Sequence, residues 1–305
     1  MSNANYIGQR TLTGITLMMA AQVFFIGTDT SAKWLTVIGT PVLQIVFVRY
    51  LVHFLASVIY YMPARGFSIF ATAYPGKQFL RSSCLLCATI ANVVALKFLP
   101  ITVTTTVSFA GPILVTVLAV PLLKEHVDVA RILAVCLGFL GVLIVFQPWG
   151  GDFHPALLLS LCVMACGSLY YILTRMLSGV DGMAAMQCWS SALGVVLLLP
   201  LAATFSAWPA TLYEWVILVL VGIFGAIAHT LVAAAHRFTE ASVLAPIVYT
   251  QIVFATLSSI LIFGTWPSAA TSIGGGFIVL SGAWVLQQAR HRRARPPKIR
   301  VSEPT

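Results

Sequence analysis

Ten apolar stretches, each about long enough to cross a bilayer, occupy almost the whole of this chain. They centre on residues 12–34, 41–62, 78–98, 101–122, 129–147, 155–177, 183–204, 213–235, 241–264 and 268–288. A helix rises about 1.5 Å per residue and bilayer hydrocarbon is about 30 Å thick, so one crossing takes roughly 20 apolar residues. The expected fold is therefore an all-α integral membrane protein of ten transmembrane helices. Its connections are too short to fold as soluble domains. Hydrophobic residues make up 59% of the chain and charged residues 8%, against about a quarter charged in soluble domains. The first stretch is longer than the core of a signal peptide and lacks its small-residue cleavage pattern, so it is expected to be a retained span.

The formal charge of +9 would suit nucleic acid, but its placement does not. Arg290, Arg292, Arg293, Arg295, Lys298 and Arg300 form a basic tail (289–305) directly after the last span. Lys and Arg are retained on the cytoplasmic side. With both ends placed there, Arg10, Arg65, Lys77, Arg81, Lys124, Arg131, Arg175 and Arg237 join the tail on that side, and only Lys97 lies near the opposite one. Nine or eleven spans would destroy this asymmetry. Ten spans with both termini cytoplasmic, in the inner membrane of the cell, is the expected topology. No nucleic-acid partner is expected. Lipid and a small-molecule substrate are, and no feature of the sequence sets an oligomeric state.

The second half repeats the first. At a constant offset of 140 residues Ala95 meets Ala235, Lys97 meets Arg237, Phe98 meets Phe238, Thr102 meets Ser242, Phe109 meets Tyr249, Leu140 meets Leu280 and Val145 meets Val285. Five spans is an odd number, so the second five-helix repeat (155–288) enters the membrane inverted relative to the first (12–147). Inverted repeats are a recurring device of secondary transporters, because two similar halves can exchange conformations and so alternate access to a central site.

Ionisable and polar side chains at membrane depth are costly and invite a functional reading. Asp29 and Lys33 lie one turn apart in span 1, as do Arg49 and His53 in span 2, so each pair shares a helix face. A structural ion-pair cluster is one reading; a grip on a substrate carboxylate, for which the guanidinium fork of Arg49 is suited, is the other. Span 4 carries Thr105 and Ser108 among its hydroxyls, then Phe109 and the kink-forming Pro112, and span 9 offers Tyr249 and Gln251 at the corresponding depth. Asn92, His229 and Tyr170 complete the candidate substrate-binding set. Gln22, Tyr171 and Trp189 are read as helix contacts, Trp149, Trp208 and Trp266 as interface anchors, and Gly141 and Gly274 among other glycines as sites of close helix packing. Glu125 is read as a brace after span 4, and Glu240 as a loop residue.

All six cysteines fall inside spans. Cys84 and Cys87 have CxxC spacing without a second ligand pair, so buried small hydrophobes are expected and no metal site. HExxH, GxSxG and GxxxxGK[ST] are absent from the chain, so no enzyme, cofactor or ATP-driven pump is expected.

With these residues in view, the chain resembles the drug/metabolite transporter superfamily in its EamA-type branch, over residues 12–288. The residues carrying the resemblance are Phe47-Val48-Arg49-Tyr50, the segment Val103–Glu125 with Ser108 and Pro112, Gly138-Phe139-Leu140-Gly141 in span 5, and Ala245-Pro246 through Tyr249 and Phe263 in span 9. One departure is visible: a second acid matching Glu125 would fall at Thr265. The resemblance implies an inner-membrane carrier of amino acids, nucleotide-like metabolites or vitamins, in a branch that holds S-adenosylmethionine and riboflavin uptake carriers as well as exporters. The excess of Lys33 and Arg49 over Asp29 leans toward a zwitterionic or anionic cargo, an amino-acid-derived compound, and export is the expected direction. Uptake of a vitamin or nucleoside-like metabolite is the alternative. A non-transporting membrane assembly subunit is the reading from another class.

Overall fold

The computed structural model describes residues 3–108, 110–111, 114, 129–147, 154–177, 180–202, 204, 208–238, 244 and 247–293. Phe109, Pro112, Lys124, Glu125, Trp149, Glu240, Pro246 and the tail from residue 294 lie outside the described residues. The helices are α1 (Asn3–Val37), α2 (Val42–Arg65), α3 (Pro75–Phe98), α4 (Ile101–Ser108), α5 (Val129–Phe146), α6 (Ala156–Leu177), α7 (Met183–Ala202), α8 (Leu212–Phe238), α9 (Gln251–Phe263) and α10 (Ala269–Arg293), with a 3₁₀ turn at Gly66–Phe70. Six of these segments are long and apolar enough to cross a membrane by themselves, and shorter apolar helices cover Cys136–Val145, Gln251–Phe263 and Ala269–Ser281. The chain is an all-α, ten-helix membrane protein. The face from which α1 starts is here called the terminal face; the other is the distal face.

The helix pairings carry the repeat. If each helix is exchanged with the one five places later, the contact of α1 with α8 becomes that of α6 with α3, and α2 with α8 becomes α7 with α3; both members of each exchange are present. The pairs α2–α7, α4–α9 and α5–α10 map onto themselves and are also present. This is the pattern expected of two inverted five-helix halves.

Two expected spans contain a turn among their described residues. Ala110 lies in a turn after α4 with Gly111 helical again, and a turn at Tyr249–Thr250 separates helical Ile247–Val248 from α9. Ala110 and Thr250 are equivalent at the offset of 140, so both repeats interrupt the same helix at the same depth. Discontinuous helices of this kind leave backbone polar groups pointing at a protein-lined interior.

Packing uses small residues where helices must approach closely. A Cβ on Gly141 would lie 2.6 Å from the Gly274 carbonyl oxygen, and one on Gly274 would lie 2.6 Å from that of Gly141. These two glycines let α5 and α10 touch backbone to backbone, the device that replaces hydrophobic driving force inside lipid. The largest core cluster joins α1, α2, α3, α7 and α8 through residues such as Leu35, Ile45, Phe47, Leu96, Leu198 and Leu218. That core supports the polar groups described next.

Candidate functional site

Where α1, α2, α3, α6 and α8 meet, the bundle interior turns polar. Asp29 sits about 12 Å of helix rise in from the distal end of α1, and the Asn92 side-chain amide donates to its Oδ1 at 2.9 Å. Arg49 is buried and near enough for its charge to act on the Asp29 carboxylate. Among the described residues Arg49 has no hydrogen-bond partner, although a buried guanidinium has five N–H groups to satisfy. Gly225 on α8 makes room for it: a Cβ there would lie 3.3 Å from Arg49 Nε.

One turn deeper, His53 Nε2 donates to Gln187 Oε1 at 3.1 Å, and Gln187 in turn donates to Thr230 Oγ1 at 3.4 Å. The His53 ring is stacked on that of His229, with centroids 6.0 Å apart and planes 8° from parallel. Phe25 meets His229 edge-on at 5.1 Å, and the Tyr170 hydroxyl lies 3.4 Å from His229 Nδ1. Arg49, Tyr50, His53, Leu85 and His229 enclose a cavity of about 10 Å³, enough for roughly one water. The site therefore has charge and flat aromatic surface but no cargo-sized space in this conformation.

A cavity of about 370 Å³ lies elsewhere, between α4, α9 and α10, with Thr102, Thr106, Ile252, Thr256 and Thr271 among its walls. It is largely apolar and, among the described residues, carries no charged side chain; Val253 and Leu257 on its rim face outward. Volume alone favours it. The Asp29–Arg49 region is the stronger site for a polar cargo, because the costly buried charges are there.

The sequence-derived candidates thus separate. Asp29, Arg49, Asn92, Tyr170 and His229 come together. Lys33 does not join them: its ammonium donates to the carbonyls of Leu96 at 3.0 Å and Leu99 at 2.6 Å, capping the last turn of α3 near the distal face. Ser108 bonds back to Thr104 O at 2.9 Å within α4, Thr105 is buried on the same helix, and Tyr249 packs with Ala110, Val142 and Ile278 beside Gln251 at the break in α9. At Thr265, where the resemblance calls for an acid, the hydroxyl donates to Phe263 O at 3.2 Å.

Sequence reasoning counted Arg81 only among the basic residues of the terminal side and gave it no role; the structure gives it one. Arg81 is buried to 2% exposure near the terminal end of α3. It donates through Nε to Gln78 Oε1 at 3.1 Å, through Nη2 to Ser190 Oγ at 2.8 Å and to Met186 O, and through Nη1 to Thr174 Oγ1 at 3.4 Å. Its charge lies 5.3 Å from the centroid of Tyr170. Gln78 passes the network on, donating to Asp181 Oδ2 at 2.7 Å; Thr72 also donates to Oδ2, at 2.6 Å, and Ala73 N–H donates to Oδ1 at 3.1 Å. Burial pushes the Asp181 carboxyl up, but these hydrogen bonds and the Arg81 charge outweigh it and hold the group below its ordinary range. Asp181, in the α6–α7 turn, thereby ties both halves together at the terminal face. The available signal was the Gln78–Arg81 spacing inside an apolar run.

Comparison with known proteins identifies this architecture. The profile of the EamA-like transporter family matches residues 12–147 and 154–287. The chain belongs to the EamA-like transporter family. An S-adenosylmethionine uptake transporter of Rickettsia felis is 24% identical over 288 residues, covering 93% of this chain and 96% of the relative. One from Rickettsia bellii is 26% identical over 245 residues, covering 80% and 82%. A riboflavin transporter of Brucella anthropi is 28% identical over 282 residues, covering 86% and 96%. A crystal structure of another protein superposes with a TM-score of 0.64 at 20% identity, over 94% of this chain and 99% of that one; it shows the fold alone. The EamA-like chain is thus a multi-pass membrane transporter.

Proposed function

We propose that this chain is an uptake carrier for a planar nitrogen heterocycle bearing a polar tail, of the riboflavin or S-adenosylmethionine type. The observation that carries the reading is Arg49, a buried guanidinium with no hydrogen-bond partner among the described residues, set beside Asp29–Asn92 and the stacked rings of His53 and His229. In this assignment Arg49 and Asp29 take the polar tail, and Phe25, His229 and Tyr170 form the wall for the flat ring. The relatives named S-adenosylmethionine uptake transporters favour import over the export expected from the sequence. The basic residues flanking the spans support an inner-membrane location with the terminal face cytoplasmic.

A cavity that holds one water cannot hold such a cargo, for which pockets run to about 300 Å³ or more. Transport then proceeds by exchange of the two inverted halves around the site, with the Asp181–Arg81 network closing the terminal face in the conformation seen here. The direct test is accumulation of radiolabelled riboflavin and S-adenosylmethionine in right-side-out vesicles carrying the protein. Saturable uptake of either supports the assignment. Absence of both, with extrusion of an amino-acid-derived compound into inverted vesicles, would replace it with efflux.

A further inference from the structure

The α3–α6 seam brings together three thiols that the carrier site does not use. Cys162 and Cys166 are one turn apart on α6, so they share a face, and Cys87 reaches that face from α3. The Sγ atoms of Cys87 and Cys162 are 3.8 Å apart, those of Cys162 and Cys166 are 4.0 Å apart, and all three lie within 4.8 Å of one another. None is in a disulfide; Cys87 is exposed on the outside of the bundle and its two partners are half-buried. Cys84, despite its CxxC spacing from Cys87, is not one of the three; it is buried with Leu85 and Tyr170 in a cluster against which Cys166 packs. The grouping therefore comes from the meeting of two helices from different halves.

Three thiolates about 2.3 Å from one ion lie roughly 3.5–4.0 Å from one another, closest around a pyramidal ion. Two pairs of the trio, at 3.8 and 4.0 Å, are near that range and the third lies within 4.8 Å, so a small side-chain adjustment closes the site. Charge then selects the ion. A divalent cation on three thiolates keeps one negative charge, which is expensive against hydrocarbon, and structural zinc also wants a fourth ligand. Among the described residues no histidine or carboxylate joins the three sulfurs. A trivalent thiophilic ion on three thiolates is neutral and complete.

We propose that Cys87, Cys162 and Cys166 form a binding site for a trivalent thiophilic ion of the arsenite or antimonite class. Binding is a condensation without electron transfer. Three S–H bonds and three bonds from the ion to hydroxyl oxygen break, three bonds from the ion to sulfur form, and three waters leave. The bound ion ties α3 of the first half to α6 of the second, the contact that the repeat exchanges with α1–α8, and so restrains the movement of the halves. That consequence rests on the carrier reading; the binding itself does not.

The test uses full-length protein in lipid nanodiscs under a phosphine reductant, with arsenite as the probe. Bound arsenic per chain is measured after desalting, and sulfur neighbours are counted by X-ray absorption. The expected result is one arsenic per chain with three sulfur neighbours. Cys87→Ala and Cys162→Ala should each weaken retention by at least about ten-fold, while Cys136→Ala and Cys188→Ala match the unmodified protein. Cys166→Ser and a comparison of melting curves separate lost binding from lost fold. Retention equal in the unmodified protein and Cys87→Ala, or a shell of fewer than three sulfurs, would overturn the site. Because retention is read without transport, this result stands whether or not riboflavin or S-adenosylmethionine is carried.

Discussion

Among the described residues two arginines are buried, and the fold treats them in opposite ways. Arg81 meets four acceptors on α3, α6 and α7, lies against the Tyr170 ring, and is relayed through Gln78 to a carboxylate with three donors of its own. Arg49 is almost as deeply buried and has no hydrogen-bond partner among the described residues. A buried charge that is fully partnered holds structure together, because removing it strands every group around it. One left without partners keeps its donors available for something that arrives from solution. On the proposed reading, the difference separates a latch from a site within a single membrane protein.

The largest expected effect falls on Arg49. Arg49→Ala should lower flux by about 100-fold or more, the scale of losing a desolvated charged contact, with little change in melting temperature; vesicle uptake and a thermal melt check the two halves of this statement. Arg81→Ala should do the reverse in character, costing about 2–3 kcal/mol or more of stability by stranding buried acceptors, read from denaturant or thermal unfolding in detergent. Gly222→Ala should cost about 1–3 kcal/mol, because a Cβ there would lie 2.5 Å from Val52 Cβ and 3.0 Å from the Arg49 carbonyl. Its flux should fall with its stability rather than ahead of it.

A smaller effect is pH-dependent. Asp181 is held below its ordinary range in the folded protein, so it contributes stability above the unfolded carboxyl pKa of about 3.9, and loses it as pH falls through the lower folded value. The latch should therefore be insensitive to pH from about 5 to 8 and weaken only in stronger acid. Asp181→Asn should remove that acid-side dependence in a pH series of melting curves. The smallest change is expected from Tyr170→Phe. It deletes a 3.4 Å contact with His229 but keeps the ring beneath Arg81, so flux should shift by no more than a few-fold, about 1 kcal/mol.

Much of this fold was legible from hydropathy, since span length and the odd number of helices per half follow from bilayer thickness. The site was legible one residue at a time. Asp29, Arg49 and His229 announce themselves because charge and imidazole are rare in apolar runs. Lys33 was misleading for the same reason: its ammonium serves the carbonyl end of α3, a helix-end partnership invisible until α1 and α3 are seen side by side. Arg81 was hidden for a different reason. Its position near a span end satisfies the rule that puts basic residues in solvent, and only the packing of α6 and α7 over it buries it. The thiol trio likewise depends on a meeting of helices 75 residues apart in the chain, which no local spacing reports.

The contrast between the two arginines is tested most directly by measuring flux and melting temperature on the same preparations of Arg49→Ala and Arg81→Ala. The expected result is that Arg49→Ala is stable and inactive, whereas Arg81→Ala loses stability and whatever flux depends on it. An Arg49→Ala protein that carries its cargo normally, or one that melts as early as Arg81→Ala, would contradict the assignment of Arg49 to the cargo.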